Sequence, residues 1–336
     1  MSGTPPRPRR TCRPGFVDLQ VNGVDDIDFW QADPAAWRRA GRILAAHGVT
    51  HYCPTLVSAP LEAYPGALDR VAAAQVDEDP EQARIVGVHL EGPFLGAAPG
   101  AHPTELLRRA DPAWLERLLA RHPGLVRIVT LAPEADPGLE TVAMLRSHGV
   151  LVALGHTRAG AAEADAAFAA GARLVTHLFN GMAPLHHREP GLVGAALDHP
   201  HVHLGVIGDG VHVHPRVLRL LFRWAPGRVF LVTDQVGLPA AGGSPGGARP
   251  VTLAAAHADG AVARLEDGTL AGSRTPMDAA VRVLVDAGIP WEAALAAAGP
   301  VPAALVGVPA AAGEVTLDAS GHVRSVTIRT APPYAR

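Results

Sequence analysis

Two periodicities alternate along the chain. Short apolar runs, with the pattern of buried strands, recur at Gly15–Val21, Thr50–Leu56, Ile85–Leu90, Val126–Leu131, Leu151–Leu154, Arg173–His177, Val202–Ile207 and Val229–Thr233. Between them, stretches rich in Ala, Leu and Arg carry apolar residues at helical spacing: Pro34–His47, Leu61–Ala74, Pro112–Arg121, Leu139–His148, Gly160–Ala170, Gly191–Asp198 and Pro215–Trp224, with a further one at Pro276–Ala287. Helix punctuation agrees: Asp111-Pro112 opens one, while His148-Gly149 and Ala170-Gly171 close two others. Eight strands alternating with helices predict an α/β fold of the closed (β/α)8, TIM-type kind. An open doubly wound sheet would carry a glycine-rich first turn, and Val21-Asn22-Gly23 is not one.

Residues 1–14 read as a short Pro/Arg-rich segment, a reduced β appendage, and residues 15–307 as the catalytic barrel. The barrel carries an insertion at about 241–270, in which Val251–Leu253 and Val262–Leu265 predict a hairpin after the eighth strand. Residues 308–336 predict a second hairpin, Glu314–Leu317 and His322–Ile328 around Ser320-Gly321, outside the barrel.

Composition narrows the chemistry. Of 336 residues, 48% are hydrophobic and 18% charged, enough for a large core and unlike a disordered chain. A net charge of −3 offers no basic face for nucleic acid. All 29 basic residues are Arg, which excludes a Schiff-base lysine, a P-loop lysine and a metal centre bridged by a carboxylated lysine. Cys12 and Cys53 are too few for a disulfide framework or a cysteine-rich zinc site. The N-terminal stretch has no apolar h-region and no run is long and apolar enough to cross a membrane, so a cytoplasmic protein is expected.

In such a barrel, polar residues at the carboxyl ends of strands face the active site. Those ends supply Asp18, Gln20 and Asn22; His89 and Glu91; His156; His177 and Asn180; Asp209 and His212; and Asp234. Glu91, His156 and His177, from the third, fifth and sixth strands, form a donor set for one divalent ion with an open position, Zn²⁺ foremost and Fe²⁺, Co²⁺ or Mn²⁺ also accepted. Singly, each also reads as a buried polar residue at a strand end. Asp234 reads either as the base that takes a proton from water or as a turn aspartate. Gln20-Val21-Asn22 occupies the place where two-metal barrel hydrolases put H-x-H, and amides are poor zinc ligands, so one ion is expected and Gln20 and Asn22 mark a vestigial second position. Arg188 reads either as a clamp for phosphate or carboxylate or as a solvated loop charge. His186-His187 and His201/His203 lack useful spacing or lie at the wrong barrel end, and read as surface and structural.

The strand-end segments, in order, closely resemble the N-acetylglucosamine-6-phosphate deacetylases of the amidohydrolase superfamily. The resemblance rests on Pro14-Gly15-Phe16-Val17-Asp18, His89-Leu90-Glu91-Gly92-Pro93-Phe94, Thr130-Leu131-Ala132-Pro133-Glu134, Gly155-His156-Thr157, Thr176-His177-Leu178-Phe179-Asn180-Gly181-Met182, Arg188-Glu189-Pro190-Gly191, Asp209-Gly210-Val211-His212, Leu231-Val232-Thr233-Asp234 and Gly268–Ser273. It implies hydrolysis of the acetamide of an amino-sugar 6-phosphate, with Glu91, His156 and His177 as metal ligands and Asp234 as acid/base. His212 would bind substrate and polarise the amide carbonyl. Ala101-His102, Asn180-Gly181, Arg188 and Leu270-Ala271-Gly272 would contact the sugar phosphate. It further implies a homodimer in which Arg188 is lent across the interface. The remaining readings are a related amidohydrolase acting on another N-acyl substrate and a silent phosphosugar binder.

Two departures from the family pattern stand out. Relatives carry a longer segment before the Pro-Gly-Phe-Val-Asp strand, half of a small β-sandwich, which suggests an appendage reduced here to the C-terminal hairpin. Gly272-Ser273 is followed by Arg274 and then Pro276, unusual neighbours expected to alter the sugar pocket.

Overall fold

A computed structural model describes residues 10–77, 79–238 and 256–329. In chain order the strands are β1 (Arg10–Pro14), β2 (Phe16–Val21), the short pair β3 (Gly23–Val24) and β4 (Ile27–Asp28), β5 (Val49–Val57), β6 (Arg84–Ile85), β7 (Val88–Glu91), β8 (Val126–Leu131), β9 (Leu151–Leu154), β10 (Leu174–Val175), β11 (His203–Ile207), β12 (Val229–Val232), β13 (His257–Asp259), β14 (Val262–Arg264), β15 (Leu270–Ser273), β16 (Gly313–Asp318) and β17 (Val323–Ile328). The helices are α1 (Pro34–Ala46), α2 (Tyr64–Gln75), α3 (Pro112–Arg121), α4 (Glu140–Ser147), α5 (Ala161–Ala170), α6 (Gly191–Asp198), α7 (Pro215–Trp224), α8 (Met277–Asp286), α9 (Trp291–Ala298) and α10 (Pro300–Val306). None of the described helices is long and apolar enough to cross a membrane.

Eight parallel strands run side by side in the order β2-β5-β7-β8-β9-β10-β11-β12, the TIM-type arrangement expected from the alternating pattern. Local chemistry starts the helices as the sequence suggests. The Asp33 carboxylate accepts from Ala36 N at 2.7 Å and Asp111 from Trp114 N at 2.9 Å, each before a proline at the first helical position. The main core lies between strands and helices, where Phe16, Leu56, Leu90, Val129, Leu154 and Leu204 meet apolar helix faces. A second cluster, Val17, Leu19, Cys53, Ile128, Leu174, Ile207, Phe230 and Val232, fills the barrel and is joined by Ala303 and Val306 of α10.

Several elements depart from the sequence reading. The third strand splits into β6 and β7 because Gly87 turns through φ +145°, where a Cβ would run into the Arg127 side chain and the Leu125 carbonyl. The sixth shortens to Leu174–Val175, since His177 leaves the ladder with φ +25°. Helices α9 and α10 were not expected: α9 is mostly Ala, and α10 has no polar residue and carries prolines at 300 and 302, so neither shows the contrast of an amphipathic helix. Among the described residues, the inserted segment holds a three-stranded antiparallel sheet, β13-β14-β15; Val251–Leu253, expected to pair with Val262–Leu265, lies outside them. The outer appendage is likewise three-stranded: β1 pairs antiparallel with β16, Arg10 opposite Asp318 and Pro14 opposite Glu314, so the C-terminal hairpin gains a strand from the other end of the chain.

No regular ladder joins β12 to β2, and side chains and loop backbone close this seam. Asp234 N donates to Gln20 O at 2.8 Å, and Asn22 N to Gln235 O at 2.7 Å. Below them the wholly buried Asp18 carboxylate accepts from Thr233 N at 3.2 Å and from the Thr233 hydroxyl. Burial pushes the Asp18 carboxyl up to about 7, against the pull of the Thr233 and Gln20 hydrogen bonds. A carboxyl raised on folding binds its proton more tightly in the folded chain. Its contribution to stability is complete below the unfolded value near 3.8 and is lost as pH rises to about 7. Urea melts of the wild type and Asp18→Asn should therefore show the wild type's advantage shrinking by on the order of 1–4 kcal/mol between about pH 4.5 and 7.5. A pH-independent difference would mean that Asp18 does not titrate in that window.

Candidate active site

At the carboxyl end of the barrel, Glu91 closes β7 while His156 and His177 follow β9 and β10 directly. Glu91 Oε1 lies 3.0 Å from His156 Nε2 and 3.0 Å from His177 Nε2, and the two ring nitrogens are 3.1 Å apart. All three side chains are buried. Their orientation needs unusual backbone: His156, His177, Phe179 and Asp234 have φ of 51°, 25°, 80° and 48°, a left-handed region costly for side chains with a Cβ and concentrated here at one site.

The donor chemistry fits a cation. His156 Nδ1 lies 3.2 Å from the Ala98 carbonyl, which can only accept, so Nδ1 carries a proton and Nε2 is the ring atom turned toward Glu91 and His177. One carboxylate oxygen and two ring nitrogens then crowd within 4.8 Å of one another, an arrangement that requires shared positive charge. Burial alone would raise the Glu91 carboxyl, but the bonds and charge of His156 and His177 outweigh it and hold Glu91 well below the usual carboxylate range. The donor set fits a divalent metal ion.

Asp234 sits beside it. Its Oδ1 accepts from Asn22 Nδ2 at 2.8 Å and from Gln20 Nε2 at 3.2 Å; the latter also reaches Glu91 Oε1 at 3.1 Å. Gln20 thus bridges the two carboxylates, while Asn22, just beyond β2, holds Asp234 alone. Burial and the neighbouring Glu91 charge push the Asp234 carboxyl up to about 6, with His177 and His212 opposing.

These groups open into a cavity of about 310 Å³. Ala101 and His102, Asn180 and Gly181, His212, and Leu270, Ala271 and Gly272 all line it, as do Asn22, Glu91, His156, His177 and Asp234. Two glycines there are dictated by close approach. At Gly181, φ +59°, a Cβ would stand 2.9 Å from His156 Nδ1. At Gly272, φ +121°, it would strike the Val236 side chain and the Asp234 carbonyl. His102 is held by Ser58 Oγ at 2.8 Å and packs edge-on to the His156 ring, with centroids 4.5 Å apart.

Some residues fall elsewhere. Arg188 lies on an exposed loop, 2.8 Å from His187 Nε2, and does not line the cavity of this chain. Arg274 does not reach the sugar pocket as anticipated: its side chain is exposed and donates to the Gly260 carbonyl at 3.1 Å, drawn away by the β13-β14 turn. His89 is buried between the Leu19 carbonyl and Thr130, so it supports the barrel interior. The strand-end reading passed over Glu134, which accepts from Ala97 N and Arg158 N at 3.3 and 3.0 Å and from the Thr157 hydroxyl, fixing the turn after His156 to the loop after Glu91. Phe179, Ile207 and Val236, also unforeseen, give the cavity apolar walls.

Comparison with known proteins places this geometry. No protein-family model matches the chain. The N-acetylglucosamine-6-phosphate deacetylase of Bos taurus is 40% identical over 337 residues, covering 94% of this chain and 81% of the relative. The N-acetylgalactosamine-6-phosphate deacetylase of Escherichia coli O157:H7 is 36% identical over 94% of this chain and 86% of its own length. Among solved structures, the D267A mutant of the Mycobacterium smegmatis N-acetyl-D-glucosamine-6-phosphate deacetylase, in complex with N-acetyl-D-glucosamine-6-phosphate, superposes with a TM-score of 0.83 at 34% identity, covering 95% of this chain and 86% of that one. With its barrel, its metal-type donor set and relatives at up to 40% identity matched over 94% of its length, the chain belongs to the N-acetylglucosamine-6-phosphate deacetylase family.

Proposed function

We propose that this chain hydrolyses the acetamide of N-acetyl-D-glucosamine 6-phosphate to D-glucosamine 6-phosphate and acetate. The observation that carries this is the convergence of Glu91, His156 and His177 on one point with Asp234 on the wall of the same cavity. A divalent ion held by those three residues would acidify a water and polarise the amide carbonyl. Zn²⁺ suits the donor set best, and Fe²⁺, Co²⁺ and Mn²⁺ can use the same ligands. One ion per chain is favoured because Gln20 and Asn22 turn amide nitrogens toward the carboxylates, which hold Asp234 rather than a second cation.

Gln20 and Asn22 both donate to Asp234 Oδ1, which leaves Oδ2 to take the proton of the attacking water. The water oxygen then bonds to the carbonyl carbon, and Asp234 passes the proton it took to the amide nitrogen as the carbon–nitrogen bond breaks, releasing acetate and the sugar's free amine. A carboxyl poised near neutrality suits both directions of that transfer. His212 stands where it can donate to the carbonyl oxygen as negative charge develops there. Ala101-His102, Asn180-Gly181 and Leu270-Ala271-Gly272 bind the sugar.

The phosphate reading rests on Arg188. Because it lies outside this chain's cavity, near exposed Leu185, the homodimer reading has Arg188 of the partner subunit reach the phosphate. A small phosphosugar substrate and two free cysteines suit the cytoplasm.

Acetate release from N-acetylglucosamine 6-phosphate, assayed beside its galacto epimer, should vanish with chelator and return with added metal. Asp234→Asn should keep its metal content and lose about 10²- to 10⁴-fold in kcat; near-normal turnover would remove Asp234 from the chemistry. Arg188→Ala should raise KM for the phosphorylated sugar roughly tenfold or more while leaving unphosphorylated N-acetylglucosamine unaffected. Equal loss on both sugars would sink the phosphate role. Mixing Arg188→Ala with Asp234→Asn subunits should restore activity if the arginine acts across the interface, and none would return if it acts within its own chain.

A further inference from the structure

The turn after β11 spends a wholly buried carboxylate on one residue. Asp209 Oδ1 accepts the backbone N–H groups of Val211 and His212, both at 2.9 Å, while Oδ2 lies 2.6 Å from His212 Nδ1. The Asp209 side chain is 0% exposed and the His212 side chain 4%. Gly210, at φ +75°, lets the chain double back so that one carboxylate holds both the peptide and the ring of the same histidine. That histidine lines the same cavity as the metal-type cluster.

An ionised carboxylate only accepts, so the Nδ1 atom facing Asp209 must carry a proton. A neutral ring in that tautomer turns a bare Nε2 lone pair into the cavity, which would repel a carbonyl oxygen. A protonated ring turns an Nε2–H outward, and the buried Asp209 charge is then balanced by the imidazolium. Burial alone would raise the Asp209 carboxyl, yet the His212 ring and the two backbone donors hold it below its ordinary value. The His212 charge also pulls down the Asp234 carboxyl, against burial and the Glu91 charge.

We propose that Asp209 is a positioning residue for deacetylation, locking a proton on His212 Nδ1 and sustaining a charged ring whose Nε2–H donates to the substrate's amide oxygen. This rests on the deacetylase reading above, which supplies the carbonyl. Asp209→Asn keeps the shape of the turn: its oxygen still takes the two backbone N–H groups, and its amide donates to Nδ1, leaving a neutral ring with a weaker Nε2–H. Asp209→Ala frees the ring altogether.

The test pairs kinetics with NMR of the metal-loaded protein carrying ¹⁵N-labelled histidine. The wild type should show a strongly downfield Nδ1 proton that disappears in His212→Gln and in Asp209→Asn. In Asp209→Asn, kcat should fall by roughly tenfold to a hundredfold with KM changed much less and metal content unchanged. The inference is overturned if the wild type lacks the downfield proton, if Asp209→Asn keeps its kcat, or if it raises KM alone, which would make His212 a neutral acceptor for a sugar hydroxyl. Where a variant does not fold, the wild-type and His212→Gln spectra still decide the hydrogen bond. Failure of the wild type to release acetate would instead remove the deacetylase reading and the carbonyl role with it. A kcat that survives Asp209→Asn in an active enzyme would remove the inference alone.

Discussion

The bond from Asp234 N to Gln20 O, 2.8 Å long, stands where the barrel has no ladder to close it. Around it, Asp18 grips Thr233 and Gln235 grips the backbone of Asn22 and Gly23, so the first and last strands are joined through the residues that carry the chemistry. Closure and catalysis thereby become one constraint. Were the seam to open, Asp234 would swing away from Gln20 and Asn22, and through Gln20 from Glu91, and the two carboxylates would no longer address the same cavity. The positive φ of Asp234 belongs to the same constraint: a relaxed backbone there would turn the carboxylate elsewhere.

How far the sequence could be read depended on how sharply each element contrasts with its surroundings. Central parallel strands are buried on both faces and read as unbroken apolar runs, so Val126–Leu131 and Leu151–Leu154 were bounded as they occur. Helix α9 escaped because Ala supplies most of its residues and blurs the polar contrast, and α10 because its prolines normally argue against a helix interior. The break at Gly87 is a matter of backbone conformation, invisible to a hydrophobic pattern.

The site divides in the same manner. Glu91, His156 and His177 could be named because the fold puts strand-end side chains at the mouth, and the structure brings them together. Ala101, Leu270 and Ala271 needed the family resemblance, since nothing in an alanine or leucine announces contact with a sugar. Glu134 and Asp209 were visible in their motifs without visible purpose. They act on backbone N–H groups and on a ring nitrogen, and such partners exist only once the chain has folded.

The outer sheet in which β1 lies against β16 has a consequence in time. A ribosome delivers Arg10–Pro14 long before Gly313–Asp318, and the β1 edge has no partner until β16 is out. The seam between Gln20 and Asp234 has a long loop of its own to close. Contacts of such sequence separation form late and slowly. The nascent chain must therefore hold an unclosed barrel with a bare strand edge through most of its synthesis, and the deacetylase site is among the last things to exist.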